Sequence, residues 1–207
     1  MGQATEVRRS VPSARIQAKR SRRRREILRA ALEAFRERGY HATTLDQIAA
    51  RLGMRKTALY HYFPDKEAIL YTCHREALDE VESLFQQALT LPGTAAERLR
   101  FVIREHVRVM AETLDGSPLA FETTSLSPVH AAEVIARRDA YERAVRAAIE
   151  EGVREGSFRP VDSKIAAFAI FGAINWIARW YRPDGSMQAV ELGSQFADHL
   201  TGGLTCR

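Results

Sequence analysis

Between Thr43 and Lys66 the chain reads TTLDQIAARLGMRKTALYHYFPDK, with apolar positions in two short helical registers either side of a glycine. Leu45, Ile48, Ala49 and Leu52 share one helical face, and Thr43 or Thr44 is placed to cap its start. Gly53 supplies a residue that tolerates the positive φ of a helix stop. Met54, Ala58 and Leu59 resume the inward face, and Phe63 closes the unit before Pro64 and Asp65 begin another helix. Outward on the second helix stand Arg55, Lys56, Thr57, Tyr60, His61 and Tyr62. Cations, hydroxyls and phenols are the groups that bind phosphates and base edges. The outline is a helix-turn-helix that lays one helix in a DNA groove. By pattern alone, a helical hairpin with a solvated basic face looks the same.

The rest of the chain is predicted helical, without strand-like alternation. A helix from about Asp65 to Leu89 turns Leu70, Ala77, Leu78, Val81, Leu84, Phe85 and Ala88 inward, and Leu91-Pro92-Gly93 breaks it. The next, from about Thr94 to Leu114, carries Leu99, Val102, Ile103, His106, Met110 and Leu114 on one face. Arg100, Arg104 and Arg108 form an opposite face expected to be solvated. Gly116, Pro118 and Ser127-Pro128 bound a short irregular helix containing Phe121 and Glu122. A helix from about Val129 to Glu155 turns Ile135, Tyr141, Val145, Ala148 and Ile149 inward and ends at Gly156 and Pro160. From about Asp162 to Tyr181 the chain is apolar almost all round. Ile165, Phe168 and Trp176 lie on one side, and Ile170, Ala173, Ile174 and Ile177 on another. Such a helix is expected to be buried on both sides, by its own domain and a second subunit; the other reading is an ordinary buried core helix in a monomer. The last helix, about Met187 to Leu200, offers Val190, Phe196 and Leu200, with Gly193 and Ala197 permitting close approach.

Charge sharpens this picture. The 207 residues carry a formal net charge of +5, yet residues 1–25 alone carry +8, leaving −3 on the remainder. A basic arm beside a DNA-binding unit would neutralise phosphates or reach the minor groove; its other reading is a disordered, soluble tail. No apolar segment follows the N-terminal charges as in a secretory signal. The longest apolar run, Ile165 to Ala178, is shorter than the roughly 20 residues a membrane span requires. Cys73 and Cys206 lie far apart without metal-ligand spacing, and Cys73 falls on an apolar stripe as a core thiol. A cytoplasmic protein with no metal, no cofactor and no membrane partner is expected.

With these residues in view, the chain resembles the tetracycline-repressor (TetR) family over about residues 22–70. The marks are a basic start to the first helix, Ala34-Phe35, Gly39-Tyr40, the Thr-Thr pair, Ile48-Ala49, Gly53, Ala58-Leu59-Tyr60-His61-Tyr62-Phe63 and Lys66-Glu67. The resemblance implies that Thr43 or Thr44, Tyr60 and Lys66 anchor the DNA backbone, and that Arg55, Lys56 and Thr57 meet bases. Many members have Ser where Arg55 stands and a small residue, often Gly, where Thr57 stands. Arg55 thus weakens the usual cap but adds a side chain suited to guanine. The implied fold is all-α: a basic arm over 1–21, a three-helix DNA-binding domain over 22–68, and a helical effector-binding and dimerisation domain over 69–207.

The family usually dimerises through its last two long helices, which here nominates Ile170, Ile174, Ile177, Val190, Gly193, Phe196, Ala197 and Leu200. A homodimer would set two recognition helices about one DNA turn, roughly 34 Å, apart on a palindromic operator. The middle helices are larger than an interface needs, which suggests a pocket for a small-molecule effector. His106, Phe121, Arg138, Tyr141, Asn175, Trp176 and Arg179 are the candidate lining residues. His106 also suits a hydrogen-bonded core position, Arg138 an internal salt bridge, and the aromatics an ordinary core or interface. Asn175-Trp176 through Gly185 resembles the C-terminal halves of regulators of fatty-acid and aromatic-acid catabolism, several of which sense acyl-CoA thioesters. The expected function is therefore a repressor released from its operator by an apolar acid or acyl-CoA-like effector. The alternative is a regulator that needs a corepressor or has no effector. An enzyme is disfavoured: there is no phosphate-cradling Gly-rich loop, no His-Glu-x-x-His pair and no Gly-x-Ser-x-Gly turn. A nonspecific basic-arm binder of nucleic acid or membrane would lose nearly all affinity with salt.

Overall fold

Apolar positions at helical spacing produce eight α-helices in the computed structural model, which describes residues 14–113 and 122–205. Helix α1 (Ala14–Arg38) buries Ile27, Leu28, Ala31, Leu32 and Phe35 along one stripe. It starts earlier than expected: residues 14–21, assigned to a disordered arm, are helical, and residues 1–13 lie outside the described part. Helix α2 (Leu45–Arg51) opens with a capping box in which Thr44 and Gln47 satisfy each other's backbone N–H groups. Gly53, at φ 60°, turns the chain into α3 (Lys56–Tyr60). Arg55 precedes α3 without a side-chain capping bond, as its size suggested. Ile48, Leu59 and Phe63 meet the α1 stripe and close a three-helix core.

Asp65 then caps α4 (Lys66–Thr90), which runs unbroken through the expected domain boundary at 68/69. Arg24 ties α1 to it, donating to Thr72 Oγ1 at 3.1 Å and lying 4.6 Å from the centre of the Phe63 ring. The buried face of α4 includes Cys73 and His74, while Ala77 and Leu84 are only partly covered. Helix α5 (Ala95–Arg108) begins with a Thr94–Glu97 capping box and passes into one π-helical turn, Val109–Thr113. The expected irregular helix around Phe121 and Glu122 lies partly outside the described residues; residues 122–127 form a turn. Helix α6 (Pro128–Arg154) is capped by Ser127. Its inward stripe contains Val134 in place of Ile135, which is exposed.

Helices α7 (Ser163–Trp180) and α8 (Ala189–Gly202) complete the bundle. Two expectations change here. Helix α8 packs on α5, so the arginine face of α5 is only partly solvated: Arg100 is exposed but pairs with Asp198, and the half-buried Arg108 bonds Glu80, Glu105 and Glu112. A Cβ on Gly193 would lie 2.7 Å from the Arg104 carbonyl oxygen, which places this glycine inside the chain rather than on a dimer face. Ala197 is buried, and Ile170, Ile174 and Ile177 fill the core between α6 and α7. Those five residues are therefore withdrawn as interface candidates. Ile165, Phe168, Trp176 and Trp180, spaced along the opposite side of α7, are exposed by 64, 53, 62 and 43 %. Among the described residues no helix is long and apolar enough to cross a membrane.

Candidate DNA-binding surface and effector cavity

Local folding separates the candidate DNA residues into two groups. Thr44, Arg55, Lys56, Thr57, Tyr60 and His61 are exposed on the helix-turn-helix surface, and Tyr62 is partly buried against its core. Lys56 reaches Asp46 at 2.8 Å, a surface pair that a phosphate can replace at little cost. Thr43 differs. It is buried, and its hydroxyl donates to the carbonyls of Gly39 at 2.8 Å and Ala34 at 3.2 Å, which removes it from the list of DNA contacts. Lys66 also works inward. Its ammonium donates to the carbonyls of Tyr40, Thr43 and His41 at 2.7, 2.9 and 3.3 Å and lies 4.2 Å from the centre of the Tyr40 ring. Burial holds its pKa below the usual lysine value, and a phosphate would have to displace one of these carbonyls. Beside α3, a groove is shared by Ile16, Lys19 and Arg20 of α1 with Ala58, His61 and Tyr62. The basic start of α1 thus lies along the recognition helix, a juxtaposition that composition alone did not reveal.

A cavity of about 280 Å³ opens between α4, α5, α6 and α7. Of the seven predicted lining residues, His106, Arg138, Tyr141 and Asn175 reach it. Trp176 and Arg179 do not: both are on the exposed side of α7, with the guanidinium 6.0 Å from the indole. Phe121 lies outside the described residues. Sequence reading missed His74, Asp139, Glu142 and Phe171, and placed Phe168 on a helix face without assigning it to the pocket. Only His74 had a discernible signal, as a polar residue beside an apolar stripe.

Polar groups in the wall are arranged in two places. At the α4 side, Arg138 donates to His74 Nδ1 at 3.2 Å, which leaves His74 Nε2–H to donate to the Glu122 carbonyl, also at 3.2 Å. Burial, and then the Arg138 charge, depress the His74 pKa to about 4, so the ring is neutral at pH 7. At the α5 side, His106 and Tyr141 meet, with the Phe171 ring 5.9 and 5.7 Å from theirs. Glu142 and Arg146 form a loose pair at 3.8 Å. The cavity therefore combines apolar walls with a guanidinium, two neutral imidazoles and the carboxyl groups of Asp139 and Glu142, a chemistry suited to an apolar body with one polar end beside Arg138.

The turn at 122–127 connects this wall to the DNA-binding helices. Glu122 accepts from His74 through its carbonyl, and its carboxylate lies 3.8 Å from His41, in the turn that leads to α2. Ser125 Oγ lies 3.4 Å from the same imidazole. Nearby, Glu67 of α4 accepts from the Ser127 N–H at 2.8 Å and pairs with His130 at 2.7 Å. One short segment thus touches the cavity wall, the turn between α1 and α2, and the start of α4.

Comparison with known proteins agrees with both halves of this arrangement. Residues 27–72 match the family model described as bacterial regulatory proteins, tetR family, and residues 92–204 match the tetracyclin repressor-like C-terminal domain. The HTH-type transcriptional repressor KstR2 of Mycolicibacterium smegmatis is 30% identical over 88% of this chain and 91% of its own. The TetR family transcriptional regulator PfmR from Thermus thermophilus superposes with a TM-score of 0.77 at 37% identity, covering 87% of this chain and 99% of that one. AibR, solved in complex with isovaleryl coenzyme A and operator DNA, gives 0.73 at 29%, covering 88% and 98%.

Proposed function

The chain belongs to the TetR family of transcriptional regulators, and from that membership we propose that it is a homodimeric repressor of a palindromic operator, released by an apolar acid or acyl thioester. It is a DNA-binding regulator and not an enzyme, as its relatives are. The observation that carries the finer reading is the turn at 122–127, which bonds the cavity wall at His74 and meets the DNA-binding unit at His41. A ligand that draws Arg138 into the cavity pulls on His74 and hence on this turn. The resulting difference in affinity between two states is all that release requires.

Residues 14–68 serve DNA in this reading. Thr44 and Tyr60 hold phosphates; Arg55, Lys56 and Thr57 meet bases, with His61 and Tyr62 at the flank. The start of α1 adds phosphate contacts beside α3. Residues 69–205 supply the cavity and the dimer surface. That surface is the exposed stripe Ile165, Phe168, Trp176 and Trp180 of α7, with Val190, Phe196 and Leu200 of α8. The Trp180 and Phe196 rings, 6.4 Å apart, join the two helices into one apolar patch. Such a patch favours burial against a partner over contact with water. Phe168 belongs to both patch and cavity, so a second copy would close the cavity rim. AibR's complex with isovaleryl coenzyme A supports an acyl thioester as the class of ligand to try first.

Selection of bound sequences from random DNA tests this, followed by titration of decanoyl-CoA and isovaleryl-CoA onto the selected operator. A palindrome whose complex is dissociated by one thioester is the expected result. Binding only in the presence of a thioester would make the ligand a corepressor, and no enriched sequence would overturn the repressor reading.

A further inference from the structure

The cavity contains a hydrogen-bonding pair that the protein leaves half used. His106 Nδ1 and the Tyr141 hydroxyl lie 3.4 Å apart, at the long limit of a hydrogen bond. His106 Nε2 has no hydrogen-bond partner among the described residues. His106 is partly exposed, and its free surface opens into the cavity that both side chains line. Burial, with no charge beside it, depresses the His106 pKa to about 4 and raises that of Tyr141, so both are neutral at pH 7.

A neutral imidazole and a phenol together own one N–H and one O–H, and their mutual contact uses one of the two. If Tyr141 donates to Nδ1, the Nε2–H is left over. If Nδ1–H donates to the phenol oxygen, the O–H is left over. Either tautomer leaves one donor unspent. Among the described residues no other lining group bonds it: Val109, Met110 and Phe171 are apolar, and the acceptors Asn175, Asp139 and Glu142 make no hydrogen bond to either ring. A donor held in such a wall rewards a ligand that brings an acceptor and penalises one that does not.

We propose that His106 and Tyr141 select an effector whose apolar body carries an uncharged acceptor oxygen, a ketone, over the corresponding hydrocarbon. This rests on the reading of the cavity as the effector site. An uncharged oxygen suits the position, since the pair offers no positive charge and Glu142 lines the same cavity. The anionic or thioester end of the ligand belongs instead with Arg138. The two ends together define a keto-substituted acid or acyl thioester.

Two matched probe pairs test the inference by calorimetry on the purified full-length protein at pH 7: 1-tetralone against tetralin, and 9-oxodecanoate against decanoate. A preference of about tenfold or more for the oxygenated member of either pair is expected, and the responding pair tells whether the body is a ring or a chain. The carbonyl stretch of the bound ketone should fall below its frequency in hydrocarbon solvent. The double variant His106→Leu/Tyr141→Phe should reduce the preference to within about twofold, each single variant leaving one donor in place. No preference in either pair, an unshifted carbonyl band, or a preference that survives in the folded double variant overturns the inference. Ketone preference without any change in operator affinity would leave the inference standing and remove the regulatory reading of the cavity. Operator release by decanoyl-CoA without ketone preference would do the reverse.

Discussion

Thr43 and Thr44 are neighbours of identical chemistry that serve opposite surfaces. Thr44 caps α2 from the exposed side, while Thr43 bonds two carbonyls at the end of α1. Replacing Thr43 by Val keeps the shape but strands buried acceptors, so a loss of about 1–3 kcal/mol in urea unfolding is expected, with operator sequence preference retained. Arg55→Ala should act in the opposite sense. Stability should change little, while discrimination among bases should fall by about 1–3 kcal/mol in competition binding. Tyr60→Phe is a cleaner test of phosphate contact than Lys66→Ala, because Lys66 also ties together three carbonyls of its own domain.

At the scale of elements, α8 packs against the backbone of α5 where Gly193 meets the Arg104 carbonyl. The obstacle to a side chain there is backbone, which cannot rotate away. Gly193→Ala should destabilise the chain by about 1–3 kcal/mol, as overpacking does, and thermal unfolding would show it. On α7 the same reasoning separates two faces. Trp176→Glu, on the exposed stripe, should leave the fold intact and convert the proposed dimer to monomer in sedimentation. Ile174→Glu, in the core, should unfold the protein.

Across the whole molecule, His74 and His106 couple stability to acidity. Both have folded pKa values depressed to about 4, below an unfolded value near 6.5. The unfolded chain therefore binds protons that the folded chain refuses. Their contribution is complete above about pH 6.5 and is lost as pH falls from there towards 4, at roughly 1 kcal/mol per pH unit for each histidine. Urea midpoints measured between pH 7 and pH 5 at fixed protein concentration should fall accordingly, and less steeply in His106→Leu. The proposed release of DNA runs through the same interior. Glu122→Gln should leave operator affinity within a few-fold but weaken its response to ligand, which titration of effector onto the preformed complex would show.

Helical periodicity, caps and the run from Thr43 to Lys66 were enough to place the helix-turn-helix and every long helix after it, because these signals are local: spacing of apolar residues, a threonine before a helix, a glycine after one. Helix α1 was legible only through the family resemblance, and its first residues were assigned to the arm. Four cavity residues were legible for a related reason, being polar groups beside apolar stripes. What tertiary packing decided was the assignment of faces. Helix α7 is apolar on both sides, so composition could not tell that Ile170, Ile174 and Ile177 face the core while Ile165, Phe168 and Trp176 face out. Gly193 could have met a second chain or α5, and only the crossing of α5 with α8 selects the latter. The junction of His74, Glu122 and His41 joins residues far apart in the chain. No local rule encodes such a contact; it exists because the bundle brings a turn, a helix face and a loop to one place.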